Sequence, residues 1–181
     1  MKVAILDSGC KYADKNINVT NEDEHKDRQH GNVVGSIIKD IAPNCYLVSI
    51  KVTEHGICNN ELLARGLVQC MIEEVDIINI SLGLSGITDT VANLIDFLVG
   101  EGVTIVSASG NNVVCYPAHY PKVISVGACD SNNNKTDYTL EGYYDVLRLD
   151  EYEYQGRKYY GTSYSSARYT GELAWRLMNN E

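Results

Sequence analysis

Short apolar runs alternate with amphipathic segments along most of the chain. The run Val3–Leu6 ends at Asp7-Ser8-Gly9, which predicts a buried strand followed by a turn. Continuous or alternating apolar positions predict four further strands, over residues 45–52, 76–82, 103–108 and 123–126. Because these runs are apolar at nearly every position, they are typical of strands buried on both faces of a parallel sheet.

Amphipathic segments between these strands predict helices. Apolar residues after His30-Gly31 recur at the spacing of one helix face, namely Val33, Val34, Ile37, Ile38 and Ile41. Two more helices are predicted to begin at Asn60 and Thr88-Asp89, and a last one covers Ser163 to Met178. Strands alternating with helices form βαβ units, so we predict an α/β fold with a mostly parallel central sheet flanked by helices.

Two segments lack this alternation. Residues 11–29 are polar and charged, and we predict a solvated loop there. Residues 130–160 are rich in Asn, Asp and Tyr, a composition that favours turns with short antiparallel strands. No repeat, low-complexity segment or linker divides the sequence, so residues 1–181 are predicted to form a single domain.

Composition and charge narrow the functional classes. Hydrophobic residues make up 44% of the chain, which is the composition of a globular protein rather than a disordered one. The 24 acidic and 15 basic residues give a net charge of −9, and an acidic surface argues against nucleic-acid binding. No apolar run approaches the ~18 residues that span a bilayer, so no membrane partner is expected.

The six cysteines are scattered through or beside apolar segments, and no two of them form a C-x-x-C pair. The N-terminal residues lack the long apolar stretch and the cleavage site of a secretion signal. Together these features favour reduced, mostly buried thiols and a cytoplasmic location over a disulfide framework or a zinc site. No metal and no cofactor are predicted.

Four polar residues lie where the predicted architecture would gather a catalytic site. Asp7 ends the first strand, Asn111 follows the strand that ends at Ala108, and His30 and Ser163 begin helices. Catalysis by a serine needs its hydroxyl, an imidazole base, a carboxylate that orients the base, and a donor to the oxyanion. Sites in parallel sheets form at the carboxyl ends of the strands, so these side chains are predicted to converge there.

Four of six sequence motifs contain these residues, and the other two lie between them in the chain. The six motifs are Val3–Gly9 around Asp7, His30-Gly-Asn-Val-Val-Gly35, Ile78-Asn-Ile-Ser-Leu-Gly83, Ser107-Ala-Ser-Gly-Asn111, Tyr116–Gly127 and Gly161-Thr-Ser-Tyr-Ser-Ser166. In this order they resemble the motifs of the subtilisin-like serine peptidases, or subtilases, over residues 3 to 175. The order Asp, His, Ser along the chain is also the order in that family.

The resemblance implies a three-layer subtilisin-like fold and a serine endopeptidase that hydrolyses peptide or protein substrates. It assigns Asp7, His30 and Ser163 to a catalytic triad and Asn111 to the oxyanion hole. It implies that an extended substrate pairs with the chain and places its P1 side chain, next to the scissile bond, in an S1 pocket. The residues it assigns to substrate binding are Ser81, Leu82, Gly83, Ala108, Ser109, Gly110 and Cys115. None is charged, which favours an uncharged or apolar P1 side chain.

The chain also departs from the family pattern. Asn32 and Val33 stand where the histidine motif usually has Thr and His, and Tyr164 and Ala167 stand where the serine motif usually has Met and Pro. The stretch from His30 to Cys45 is too short for the family's tight calcium loop. The stretch from Asn111 to Tyr116 is also short, so the expected wall of the specificity pocket is reduced. Little sequence precedes the first strand, so we expect no inhibitory pro-segment and a role in limited processing.

Two other functions stay open from the sequence. The altered flanking residues are compatible with a catalytically silent subtilase fold that binds peptides. Val3–Gly9 could also open a nucleotide-binding domain, although neither G-x-G-x-x-G nor G-x-x-x-x-G-K-[ST] follows the strand. The sequence does not determine the oligomeric state.

Overall fold

A parallel sheet forms the centre of the structure, a computed structural model that describes residues 1–180. Within these residues the sheet has seven strands in the order β2-β3-β1-β4-β5-β6-β7, and every neighbouring pair is parallel. The strands are β1 (Lys2–Asp7), β2 (Lys15–Asn18), β3 (Tyr46–Lys51), β4 (Ile77–Ile80), β5 (Thr104–Ala108), β6 (Ile124–Cys129) and β7 (Val146–Leu149).

Helices cover both faces of the sheet, which confirms the predicted three-layer α/β fold. The four helices in the described residues are α1 (Gln29–Ile41), α2 (Asn60–Ile72), α3 (Asp89–Gly100) and α4 (Thr162–Asn179). Helices α1 and α4 pack together on one face, and α2 and α3 pack together on the other. No helix in residues 1–180 has both the length and the apolar character of a membrane span.

The central strand β1 shows why the apolar runs are continuous. Successive side chains of a strand point to opposite faces of the sheet. Val3 and Ile5 belong to the core beneath α1 and α4, whereas Ala4 and Leu6 belong to the core beneath α2 and α3. All four side chains are fully buried, so both faces of β1 require apolar residues over this stretch.

Two edge strands correct the sequence predictions. Residues 11–29 do not form only a solvated loop, because β2 pairs with β3 there. Likewise, β7 runs parallel to β6, although antiparallel strands were expected in residues 130–160. Both strands have one neighbour and only exposed or half-buried side chains, so they need no hydrophobic run. The expected antiparallel pair is confirmed in β8 (Tyr152–Tyr154) and β9 (Arg157–Tyr159).

The cysteines are unpaired in the structure, as predicted. Cys10, Cys45, Cys70 and Cys129 are buried, and Cys58 and Cys115 are half-buried. Burial raises the pKa of the Cys58 thiol to about 12, and it also raises the pKa of Cys115. These thiols are therefore held in their protonated, weakly nucleophilic form at neutral pH.

We predict that Ile5→Ala lowers the free energy of unfolding by about 2–5 kcal/mol, because it leaves a cavity beneath α1 and α4. Ile72→Ala is the matched control, since the Ile72 side chain is 63% exposed, and its effect is expected within about 0.5 kcal/mol. Urea unfolding followed by circular dichroism measures both. Equal effects of the two substitutions would contradict the assignment of β1 to the core.

Candidate active site

Asp7 and His30 are joined in the structure. Asp7 ends β1, and His30 is the second residue of α1. The Nδ1 atom of His30 lies 2.8 Å from Asp7 Oδ1 and 2.9 Å from Oδ2. The Asp7 side chain is buried, whereas that of His30 is 39% exposed. Because the carboxylate accepts the proton on Nδ1, the neutral imidazole keeps an accepting lone pair on Nε2.

The charge of Asp7 controls the protonation of His30. It is the main cause of a pKa for His30 above the ordinary 6.5, and the hydrogen bond to Asp7 acts in the same direction. Burial of the imidazole opposes both effects. Since the folded pKa exceeds the unfolded one, the charged pair stabilises the fold below pH ~6.5. That contribution is lost as the pH rises through the folded value.

A close backbone approach fixes the start of α1 beside β1. Gly31 N donates to Ser8 Oγ at 3.1 Å. A Cβ added to Gly31 would collide with the carbonyl oxygen of Gly9 and lie 3.2 Å from Asp7 Oδ1. A glycine is therefore required directly after the histidine, because only then can the imidazole reach the carboxylate.

Ser163 lies in the first turn of α4, where backbone N–H groups have no partner within the helix. Its Oγ donates to the carbonyl oxygen of Ser81 at 3.0 Å. Among residues 1–180 no hydrogen bond joins Ser163 to His30. The His30 ring is nevertheless close to this turn, because its centroid lies 5.7 Å from that of Tyr164.

Asn111 is also placed at the first turn of α4. Its Oδ1 accepts from the Thr162 backbone N at 3.1 Å and from Thr162 Oγ1 at 3.2 Å. A Cβ added to Gly161 would lie 3.4 Å from Asn111 Nδ2. Because the oxygen of the amide is engaged by Thr162, its orientation is fixed and its NH₂ group is presented beside the turn that carries Ser163.

A buried polar network fixes Ser163 on β4. Ser81 Oγ accepts from Asn79 Nδ2 at 2.8 Å and donates to the Ser163 carbonyl oxygen at 2.9 Å. Ser166 Oγ lies 2.9 Å from both Ser81 Oγ and the Ser163 oxygen, and Thr170 Oγ1 donates to Asn79 Oδ1 at 3.0 Å. No role was expected for Asn79, Ser166 or Thr170, although Asn79 and Ser166 lie within two of the six motifs. The signal that all three share is a polar residue at a buried position.

A cleft of about 470 Å³ opens beside these residues. Asp7 and His30 line one side, and Ser81–Gly83 line another. The segment 53–58, which includes the exposed Ile57, forms a third wall that the sequence analysis missed. The other residues expected at the substrate, Ala108, Ser109, Gly110 and Cys115, lie outside this cleft.

No group of three or more His, Cys, Asp or Glu side chains in residues 1–180 is arranged to hold a metal ion. His25 and His55 are surface residues, as expected, with side chains 71% and 78% exposed.

The fold and these residues together define a subtilisin-like α/β protein, and sequence comparison agrees. The model of the subtilase family matches residues 1–179, so the chain belongs to the subtilase family. Subtilisin E of Bacillus subtilis (strain 168) is 27% identical over 168 residues, which cover 78% of this chain and 44% of that protein. The alkaline protease of Alkalihalobacillus alcalophilus is 32% identical over 162 residues, covering 78% of this chain and 43% of that protein.

The chain spans less than half the length of these curated relatives. Among solved structures, a mutant of the protease domain of PatA superimposes with a TM-score of 0.87 at 23% identity, covering 100% of this chain and 82% of that one. The prenylagaramide maturation protease PagA gives 0.82 at 22% identity, covering 100% and 77%. Both confirm the fold.

We predict that Asp7→Asn lowers the pKa of His30, because the amide removes the negative charge while burial of the imidazole remains. Titration of the His30 ring by NMR measures the shift. The ring of the exposed His25 provides the internal reference resonance. An unchanged or higher pKa for His30 in the variant would contradict the electrostatic account of the pair.

Proposed function

We propose that this protein is a serine endopeptidase in which Ser163 is the nucleophile, His30 the general base and acid, and Asp7 the group that orients His30. Asn111 is the oxyanion donor. The observation that carries the proposal is the Asp7–His30 pair. It holds an imidazole with an accepting Nε2 at the cleft, next to the helix turn that contains Ser163.

The nucleophile is released by one rotation. In the resting structure Ser163 Oγ donates to Ser81 O. Rotation about the Cα–Cβ bond exchanges that acceptor for His30 Nε2 when a substrate enters the cleft. Catalytic hydrogen bonds are often long or absent without substrate, so this resting geometry is compatible with an active enzyme.

Acylation then follows. The Ser163 hydroxyl proton moves to His30 Nε2 as Oγ bonds to the scissile carbonyl carbon, and the π electrons of the carbonyl move to its oxygen. When the tetrahedral intermediate collapses, the C–N bond breaks and His30 gives the proton to the leaving amine. Water next attacks the acyl ester with His30 as base, and the release of the acid restores Ser163.

The oxyanion is bound from two directions. Asn111 Nδ2 is one donor, and its orientation is set by the two contacts that Thr162 makes to Oδ1. The Ser163 backbone N–H in the first turn of α4 is the second. Both are fixed before the reaction, so they stabilise the developing charge without reorganisation.

The substrate class is peptides or proteins. The edge Ser81–Gly83 follows the last paired residue of β4 and lines the cleft, so an extended substrate can add to it as a strand. Limited processing rather than bulk degradation remains part of this proposal. The cytoplasmic location and the absence of a cofactor stay predictions.

We predict that a fluorophosphonate probe labels the wild-type protein on Ser163, because the probe reacts only with an activated serine. Intact mass and peptide mapping measure the adduct, and Ser163→Ala is the control. Folded wild-type protein that takes up no label would contradict the enzyme and favour a catalytically silent, peptide-binding fold.

We also predict that Asn111→Ala lowers kcat by about 10²–10³-fold on a fluorogenic peptide, the range known for loss of one such donor in subtilisin, with a smaller change in KM. Thr162→Ser keeps the hydroxyl that contacts Asn111 and is the matched control. An equal loss in both variants, or no loss in Asn111→Ala, would contradict the oxyanion role.

A further inference from the structure

The position of a substrate strand determines where its P1 side chain lies. A substrate strand on Ser81–Gly83 with its carbonyl carbon at Ser163 and its oxygen at Asn111 spans the ends of β4 and β5, which are paired neighbours. The segment after β4 contains Gly83, and the segment after β5 contains Gly110. The P1 side chain must therefore enter the gap between these two backbones.

Cys115 already occupies this gap. A Cβ added to Gly83 would lie 2.5 Å from Cys115 Sγ and 2.7 Å from Cys115 Cβ. A Cβ added to Gly110 would lie 2.8 Å from the same Sγ and 3.4 Å from the same Cβ. The thiol is therefore packed between the two glycines. It leaves no room for a side chain at Gly83, whereas at Gly110 the nearest clash, at 2.3 Å, is with the carbonyl oxygen of Val113.

The obstruction cannot be relieved by a rotamer change. Rotation about χ1 moves Sγ but leaves Cβ, which itself contacts the Gly83 side of the gap. The backbone that carries Cys115 is fixed on both sides. Leu84 and Tyr116 exchange two hydrogen bonds of 2.8 and 2.9 Å, and Asn112 N donates to Tyr138 O at 2.8 Å.

We propose that Cys115 is the residue that restricts P1 to glycine or alanine. The inference rests on the proposed peptidase function and narrows the broader expectation of any uncharged P1 residue. A larger side chain would have to displace Cβ and Sγ of Cys115, and forcing extra atoms into packed space strains the neighbouring backbone. Glycine and alanine are small enough to leave both atoms of Cys115 in place.

The test compares peptides that differ only at P1, carrying Gly, Ala, Leu or Phe. For the wild type, kcat/KM with Ala should exceed that with Phe by at least about 100-fold, the size of discrimination that a few methylene groups allow. Cys115→Gly removes both Cβ and Sγ and should raise the Phe-to-Ala ratio by at least about 10-fold. Cys115→Ala, which keeps Cβ, should fall between the two.

Cys115→Ser is the matched control, because the hydroxymethyl group has nearly the same size and should preserve the wild-type P1 ratio. A wild type that prefers Leu or Phe, or a Cys115→Gly variant with an unchanged ratio, would overturn the proposal. A changed ratio in Cys115→Ser would also overturn it, since the thiol chemistry rather than the volume would then matter.

A second measurement tests the steric role of Cys115 by binding alone, without requiring that the protein be catalytically active. In Ser163→Ala the peptides bind without being cleaved, and isothermal titration calorimetry gives their Kd values. The peptide with Ala at P1 should bind at least about 10-fold more tightly than the peptide with Phe, and Cys115→Gly in the same background should reduce that difference. Equal affinities would reject the steric role of Cys115 even if the protein proves inactive, whereas absent fluorophosphonate labelling would reject only the peptidase.

Discussion

In a parallel sheet every strand ends at the same edge, and the candidate site depends on this constraint. Asp7 ends β1, Ser81 follows β4, and Asn111 lies three residues after β5. The sheet order makes these three strands neighbours, so residues far apart in the sequence meet at one edge of the sheet. Helices α1 and α4 then return to that edge with His30 and Ser163 in their first turns.

Two kinds of contact fix the positions of α1 and α4 relative to these strand ends. The first is the close approach of Gly31 to Gly9, which brings α1 near enough for His30 to reach Asp7. The second is the polar network from Asn79 through Ser81 to α4. Unpaired polar groups in a core are costly, so a network whose members satisfy one another favours a single position of α4 against β4.

The central strands can be predicted from the sequence because their burial is reflected directly in the residues of each strand. β1 and β4 are buried on both faces, which favours a nearly continuous apolar run, and the one polar side chain within β4, that of Asn79, is satisfied by hydrogen bonds. The edge strands β2 and β7 have no such requirement, so nothing in their composition separates them from loops. The sequence predicts the four polar residues of the candidate site because each ends or follows a strand, or begins a helix, within a recognisable motif.

Long-range contacts account for what the sequence could not predict. The third wall of the cleft, residues 53–58, contains no motif, and its position follows from the end of β3 beside β1. Cys115 was expected among the residues that line the S1 pocket, but its place between Gly83 and Gly110 depends on the pairing of Leu84 with Tyr116. Such pairing is set by tertiary packing and leaves no periodic signal.

A crystal structure of the protein with a peptide boronic acid that carries alanine at P1 tests the central claim most directly, because boron forms a tetrahedral adduct only with an activated serine. We expect a bond from boron to Ser163 Oγ, with one boron oxygen about 3 Å from Asn111 Nδ2 and His30 Nε2 turned toward the adduct. A structure in which saturating inhibitor leaves Ser163 Oγ donating to Ser81, with no density bonded to it, would contradict the account.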